Sequence, residues 1–257
     1  MRIALKVAYD GTRFAGSQVQ PDVRTVHGEL AKALRELGAR EPRILWAGRT
    51  DAGVSAAGNV AVVDDPPVAP ASLAPALTFR MEDAWAWAWA EVPDAFEPRH
   101  ARRRRYRYHL RTALDAKLVE DALRPFVGTH DFTGFARLEP DVNPVRTVFA
   151  AHARRDGPFV LVDIEGESFL WNQVRRMVEA ARRVAAGELP RARIEQALAA
   201  PQGADLGTAA PEPLLLLDVE YAGLRFHDER RRVVERLERR VEDAELRLTM
   251  LRSLGGA

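Results

Sequence analysis

The chain has 257 residues, 47% hydrophobic and 29% charged, the composition of a soluble globular protein with room for one large core or two small ones. It has no cysteine, which excludes thiolate nucleophiles, disulfides and cysteine-based metal centres, and no apolar run approaches the ~20 residues that span a bilayer. A formal net charge of +1 excludes a uniform polycation, although of the 38 basic residues only Lys6, Lys32 and Lys117 are lysines and the rest are arginines. Arginine's planar fork suits phosphate contacts and base stacking, but codon preference in a GC-rich genome is the larger cause of such a bias, so placement decides. The N-terminus, Met1 to Lys6, enters a strand-like pattern at once, so we expect no signal peptide and a cytoplasmic location.

Ile3, Leu5 and Val7 alternate with Ala4, Lys6 and Ala8, which predicts a half-buried strand ending at the turn Tyr9-Asp10-Gly11. After a Pro21-Asp22 turn, Val26, Leu30, Ala33, Leu34 and Leu37 recur at helical spacing, with Thr25 as N-cap and Gly38 as stop. A short run from Ile44 to Ala47 leads into Gly48-Arg49-Thr50-Asp51-Ala52-Gly53, a second strand spans Asn59 to Val63, and residues 64–70 read as loop. Trp85, Trp87 and Trp89 alternate with alanines, placing three indoles on one strand face, which we read as core rather than as a stacking platform.

Composition shifts to arginine around residues 98–105, and the domain boundary is placed there, giving units 1–100 and 101–222 and a charged C-terminal helix over 223–257. In the second unit, strand patterns cover Arg105 to Arg111, Phe159 to Ile164 and Leu214 to Tyr221, with a helix from about Asn172 to Ala186. The expected architecture is two related α+β domains. In the last segment Val234, Leu237, Val241, Ala244, Leu248 and Leu251 are spaced alternately three and four apart. That heptad seam fits a helix laid on the chain's own core as well as a coiled-coil contact with a second copy.

Three constellations carry chemistry. In Gly48-Arg49-Thr50-Asp51-Ala52-Gly53, two glycines bracket an acid and a base in a tight loop where backbone can approach a ligand. By itself such a loop is more often a turn with a local ion pair, but an ionised, aimed aspartate there can act as nucleophile or base. From Arg99 to Arg111 the chain holds seven arginines and no acid, with Arg104, Tyr106 and Tyr108 on one strand face and Arg103, Arg105 and Arg107 on the other. Guanidiniums interleaved with tyrosines fit a nucleic-acid surface, and we favour a polyanion partner over a solvated edge strand. Finally, Arg175 stands at the start of a helix, against the macrodipole, so an anion must compensate it: a phosphate, or a carboxylate from elsewhere such as Asp51.

Together these segments resemble the TruA family of tRNA pseudouridine synthases over nearly residues 1 to 221. The resemblance rests on Tyr9-Asp10-Gly11, Phe14, Gly16, Gln18, Gln20-Pro21 and the highly specific string Ala47-Gly48-Arg49-Thr50-Asp51-Ala52-Gly53-Val54. It continues through Val92-Pro93, Phe96, Arg105-Tyr106-Arg107-Tyr108, Gly128-Thr129-His130-Asp131-Phe132, Pro144-Val145-Arg146, Phe169 and Gln173-Val174-Arg175-Arg176-Met177-Val178. It implies two α+β domains that join their antiparallel sheets, with a basic cleft between them. It also implies a homodimer acting on uridines of the tRNA anticodon stem-loop, with no metal and no organic cofactor. Asp51 is then the nucleophile or base that detaches uracil from C1′ so that it rejoins through C5. Arg175 keeps Asp51 ionised, Tyr106 packs against the target base or moves a proton, and Arg49 helps extrude the nucleotide. The expected RNA-binding set is Arg49, Arg99, Arg103, Arg104, Arg105 and Arg107; Val54, Leu214 and Leu216 are candidate walls that exclude water.

The chain departs from the family pattern at Ser17, where a tryptophan is usual, at Ser55, where histidine is common, and at Thr78-Phe79-Arg80-Met81, in place of a Leu-Asn motif. The segment from Thr112 to Gly128 is short, more like archaeal than bacterial members, and the terminal heptad helix is an addition. Two other readings are a catalytically silent RNA-binding protein of the same fold, against which an intact Asp51, Arg175 and Tyr106 speak, and a nucleoside hydrolase, for which the arginine strand is oversized.

Overall fold

The computed structural model describes residues 1–200 and 205–255. The first half runs β1 (Arg2–Tyr9), α1 (Val26–Glu36), β2 (Ile44–Trp46), β3 (Ser55–Asp64), α2 (Pro70–Arg80) and β4 (Ala84–Val92). The second runs β5 (Arg103–Arg111), α3 (Ala116–Leu123), β6 (Gly128–Asp131), β7 (Val145–Asp156), β8 (Phe159–Gly166), α4 (Gln173–Ala185), α5 (Ala192–Ala199) and β9 (Leu214–Glu220), followed by β10 (His227–Asp228) and α6 (Arg230–Leu254). Among the described residues the strands form one sheet in the order β10-β4-β1-β3-β9-β5-β8-β7-β6, with β2 paired on β3. The α+β expectation is met. The two halves join where β3 and β9 run parallel for two residue pairs, Ser55–Leu215 and Ala56–Leu216; the other strand pairs are antiparallel.

β1 is buried along its whole length, not half-buried, because β4 and β3 flank it and both of its faces are covered. Its two cations survive burial by pairing. Arg2 Nε donates to Asp64 at 2.7 Å, and Lys6 Nζ donates to the Asp218 carboxylate and the Val219 carbonyl on β9. Burial pushes the Lys6 amine down while Asp218 pulls it back up. Lys6 thereby ties the first strand of one half to the last sheet strand of the other.

The β4 tryptophans dock the C-terminal segment. Trp85 is buried with Ala8 and Val233, and Leu237 packs on that cluster. The Arg230 guanidinium lies 3.9 Å over Trp87 and His227 stacks on Trp89 at 4.3 Å. The first turns of α6 are thus laid on the chain's own core. Beyond them Val241, Leu248 and Leu251 of the heptad seam are exposed. The departure at Thr78 belongs to the same joint: its hydroxyl donates to Ala86 O at 2.7 Å and accepts from Ala86 N at 2.9 Å, while its carbonyl accepts from Arg236 of α6.

Asp218→Ala leaves a buried ammonium without its counter-charge and is expected to destabilise the protein by about 3 kcal/mol, whereas Lys6→Met combined with Asp218→Leu recovers most of the loss. Urea midpoints check this; a single variant within about 0.5 kcal/mol of the parent would remove the pair from the list of contacts that hold the halves together.

Candidate active site

The loop between β2 and β3 carries Asp51, and its backbone is held by hydrogen bonds at Ala47, Gly48 and Thr50 and by the turn from Val54 N to Asp51 O. Ala47 N donates to Val60 O at 2.9 Å, and Ala47 O accepts from Arg104 Nη2 at 2.8 Å. Gly48 O accepts from Asn59 Nδ2 at 3.0 Å; Asn59 is fully buried and also donates to the Tyr9 hydroxyl at 3.2 Å, which pairs with Thr50 Oγ1 at 2.9 Å. Thr50 N donates to Ser17 Oγ at 2.8 Å and Thr50 O accepts from Ser17 N at 3.1 Å. Gly11 N donates to Ser55 Oγ at 3.0 Å, and a Cβ at Gly11 would overlap the Val54 carbonyl, so only glycine fits there. Both serines that depart from the family pattern therefore brace this loop.

Within that frame Asp51 Oδ2 accepts a hydrogen bond from Arg175 Nη1 at 2.8 Å, the two side chains being 25% and 16% exposed. Asp51 is the anion that compensates the arginine at the start of α4. Arg175 is aimed by its other contacts: Nη1 also donates to Asn172 Oδ1 at 3.0 Å, Nε donates to Ala209 O at 2.8 Å, and Ala209 N donates back to Arg175 O at 3.2 Å. Asn172 caps α4 in the left-handed region at φ 64°, a conformation asparagine tolerates better than most residues. Tyr106 lies close by, its ring meeting Phe169 edge-on at 5.3 Å. Burial, reinforced by Asp51 and opposed by Arg104, leaves its phenol pushed up to about 12, so it is protonated at neutral pH. Val54, Leu214 and Leu216 are buried. No cluster of three or more metal-ligating side chains occurs among the described residues.

The arginine row is not the uncompensated array that its sequence suggests. Alternation along β5 points Arg103, Arg105 and Arg107 away from the face that carries Tyr106, and each meets acids on the flanking strands. Arg103 pairs with Glu165 at 2.8 Å, Arg105 with Asp218 and Glu220 at 3.4 and 3.2 Å, and Arg107 with Asp163 through two bonds of 2.6 and 2.8 Å. Arg104 faces the site but is buried, and its guanidinium is spent on the carbonyls of Glu167, Ala47 and Arg99; it is scaffold and has no fork to offer a phosphate. Arg99 is exposed, and Arg49 reaches Glu139 at 3.3 Å with both side chains about half exposed.

Comparison with known proteins gives a consistent picture. The family model described as tRNA pseudouridine synthase matches residues 122–222. A tRNA pseudouridine synthase A of Methanocella arvoryzae is 44% identical, covering 92% of this chain and 92% of the relative. That of Thermococcus onnurineus is 42% identical over 88% and 87%, and that of Pyrococcus abyssi 37% over 99% and 100%.

Ser17→Ala orphans the buried Thr50 amide and is expected to cost about 1–3 kcal/mol of stability, read by urea unfolding. Unchanged stability would show that the loop does not lean on that hydroxyl. The phenols of Tyr9, Tyr106, Tyr108 and Tyr221 are all shifted up, with burial the largest cause. The folded chain thus holds these protons more tightly than the unfolded one, and their contribution to stability, complete below pH ~10, is lost as pH rises above it. Phenolate absorbance of the folded protein should lag behind that of the unfolded chain as pH rises past ~10 and catch up with loss of circular dichroism; four phenols titrating freely in folded protein near that pH would contradict the burial.

Proposed function

The chain belongs to the tRNA pseudouridine synthase A family, and from that premise we propose that Asp51, Arg175 and Tyr106 isomerise uridine to pseudouridine in the anticodon stem-loop of tRNA. The observation that carries the assignment is the 2.8 Å bond from Arg175 to Asp51, which brings one residue from each half to a single braced point.

A uridine inside a stem is out of reach of a side chain on a sheet loop, so the nucleotide is turned out first, at a cost of a few kcal/mol that phosphate contacts repay. Asp51 then faces the sugar. The bond from C1′ to N1 breaks, N1 retains the electron pair, and the carboxylate meets the positive charge developing at C1′ as nucleophile or base. The detached uracil turns, C1′ bonds to C5, the C5 proton leaves and N1 takes one up. The reaction balances without a co-reactant. Tyr106, protonated and edge-packed on Phe169, lies under the base and offers it a hydroxyl donor. Buried Val54, Leu214 and Leu216 help keep water from the sugar cation.

Among the arginines, we keep the RNA role for Arg49, which enters the space the nucleotide leaves, and for exposed Arg99. Acid-paired Arg103, Arg105 and Arg107 and buried Arg104 are given structural roles. We further propose a cytoplasmic homodimer to which the outer part of α6 contributes. Its heptad positions Val241, Leu248 and Leu251 are exposed, and an isolated helix of that length is marginal in water.

Release of the C5 hydrogen from uridine in tRNA tests the assignment. Asp51→Asn is expected to abolish release while RNA binding stays within about threefold of the parent, a charge change on one residue among many phosphate contacts. Equal release by both proteins would remove Asp51 from the mechanism, and free uracil among the products would favour a hydrolase. Arg49→Ala should lower the salt slope of binding by about one, while Arg105→Ala leaves it unchanged; the reverse pattern would return the phosphate role to the β5 row.

A further inference from the structure

The geometry points to a second RNA contact at the rim of the site: a stack of Arg137 on Trp171 that receives an unpaired nucleotide beside the one turned out, the indole taking the base and the guanidinium its phosphate. This rests on the RNA reading above. Trp171 lies in a segment that is otherwise packed away, with Leu170, Gln173 and Val174 buried and Phe169 against Tyr106, yet its own side chain is 42% exposed. An indole is a large apolar surface to leave in water unless it has a partner to meet. It is also held in place. Arg137 N donates to Trp171 O at 2.9 Å, and the Arg137 guanidinium carbon sits 4.1 Å from the ring centroid.

Two further facts give the pair its direction. Trp171 immediately precedes Asn172, whose side chain accepts from the same Arg175 nitrogen that donates to Asp51, so the indole is one residue along the chain from a contact of that pair. The segment that supplies Arg137 also supplies Glu139, the partner of Arg49, so the loop lies along the mouth of the site. Unlike Arg103, Arg105 and Arg107, Arg137 has no acidic partner among the described residues. A stacked, uncompensated guanidinium on a half-exposed indole offers charge and a π-face together, the combination that binds single-stranded nucleic acid with little regard to base identity. Phe149 is a fair control: it is 43% exposed and covered by a guanidinium, but that guanidinium belongs to Arg103, on the far face of the sheet.

The test measures KM and kcat for pseudouridine formation in tRNA with Trp171→Ala, Trp171→Phe, Arg137→Ala and Phe149→Ala, each checked for folding by thermal melt. Loss of one stacking platform predicts that Trp171→Ala raises KM about tenfold with kcat within about twofold, and that Trp171→Phe restores most of the affinity. Arg137→Ala should raise KM and lower the salt slope by about one, and Phe149→Ala should change neither. In parallel, a short uridine-rich single-stranded RNA should quench tryptophan fluorescence in the parent and quench it less in Trp171→Phe. A KM for Trp171→Ala within about twofold of the parent, or an equal rise with Phe149→Ala, overturns the platform while leaving the enzyme assignment standing. If the parent makes no pseudouridine, the enzyme assignment falls, and the quenching difference alone decides the platform.

Discussion

One contact organises the molecule: the bond from Arg175 to Asp51, made between side chains that are both mostly withdrawn from water and that come from opposite halves of the chain. Two charges in that position are tolerable only together, since removing either leaves the other desolvated and unpaired. Much of the surrounding structure sets its geometry. The parallel seam of β3 on β9, the Lys6–Asp218 pair and the carbonyls gathered by Arg104 fix one half against the other. Ser17, Tyr9, Asn59 and Ser55 fix the loop. A carboxylate carried on a loop braced in this way, and itself held by Arg175, is organised in advance for any charge that develops opposite it.

The basic residues divide into two populations. Arg103, Arg105 and Arg107 belong to a ladder of alternating charge across β8, β5 and β9, where cross-strand pairing of opposite signs stabilises the sheet face. The guanidiniums of Arg49, Arg99 and Arg137 are exposed, and Arg49, two residues from Asp51, meets Glu139 of the segment that also carries Arg137. Net charge near zero is compatible with a polyanion substrate because it averages over these two populations.

Much of this was legible in the sequence, and the failures have physical causes. β1, α1, β3, β5, β8, α4 and β9 follow from periodicity, and the arginine at the start of α4 already demanded an anion. β7 was missed because its exposed and partly exposed positions carry Thr147, Ala150, His152 and Arg154, which blur the alternation. α2 was missed because Pro70 and Pro75 sit inside an alanine-rich stretch with little amphipathic signal. The β5 row misled because charge compensation comes from Asp163, Glu165, Asp218 and Glu220, far along the chain, and local composition is blind to pairs made across strands. The bracing residues carried a faint signal: Asn59, a lone amide within an apolar strand, has to spend its hydrogen bonds somewhere, and it spends them on Gly48 and Tyr9.

The most direct measurement of the central contact is a double-mutant cycle on Asp51→Asn and Arg175→Gln, read as unfolding free energy in urea. Side chains coupled across the seam predict an interaction energy of about 1–3 kcal/mol between the two changes. Additivity within about 0.5 kcal/mol would mean that the two groups do not hold one another, and the site built around them would have to be abandoned.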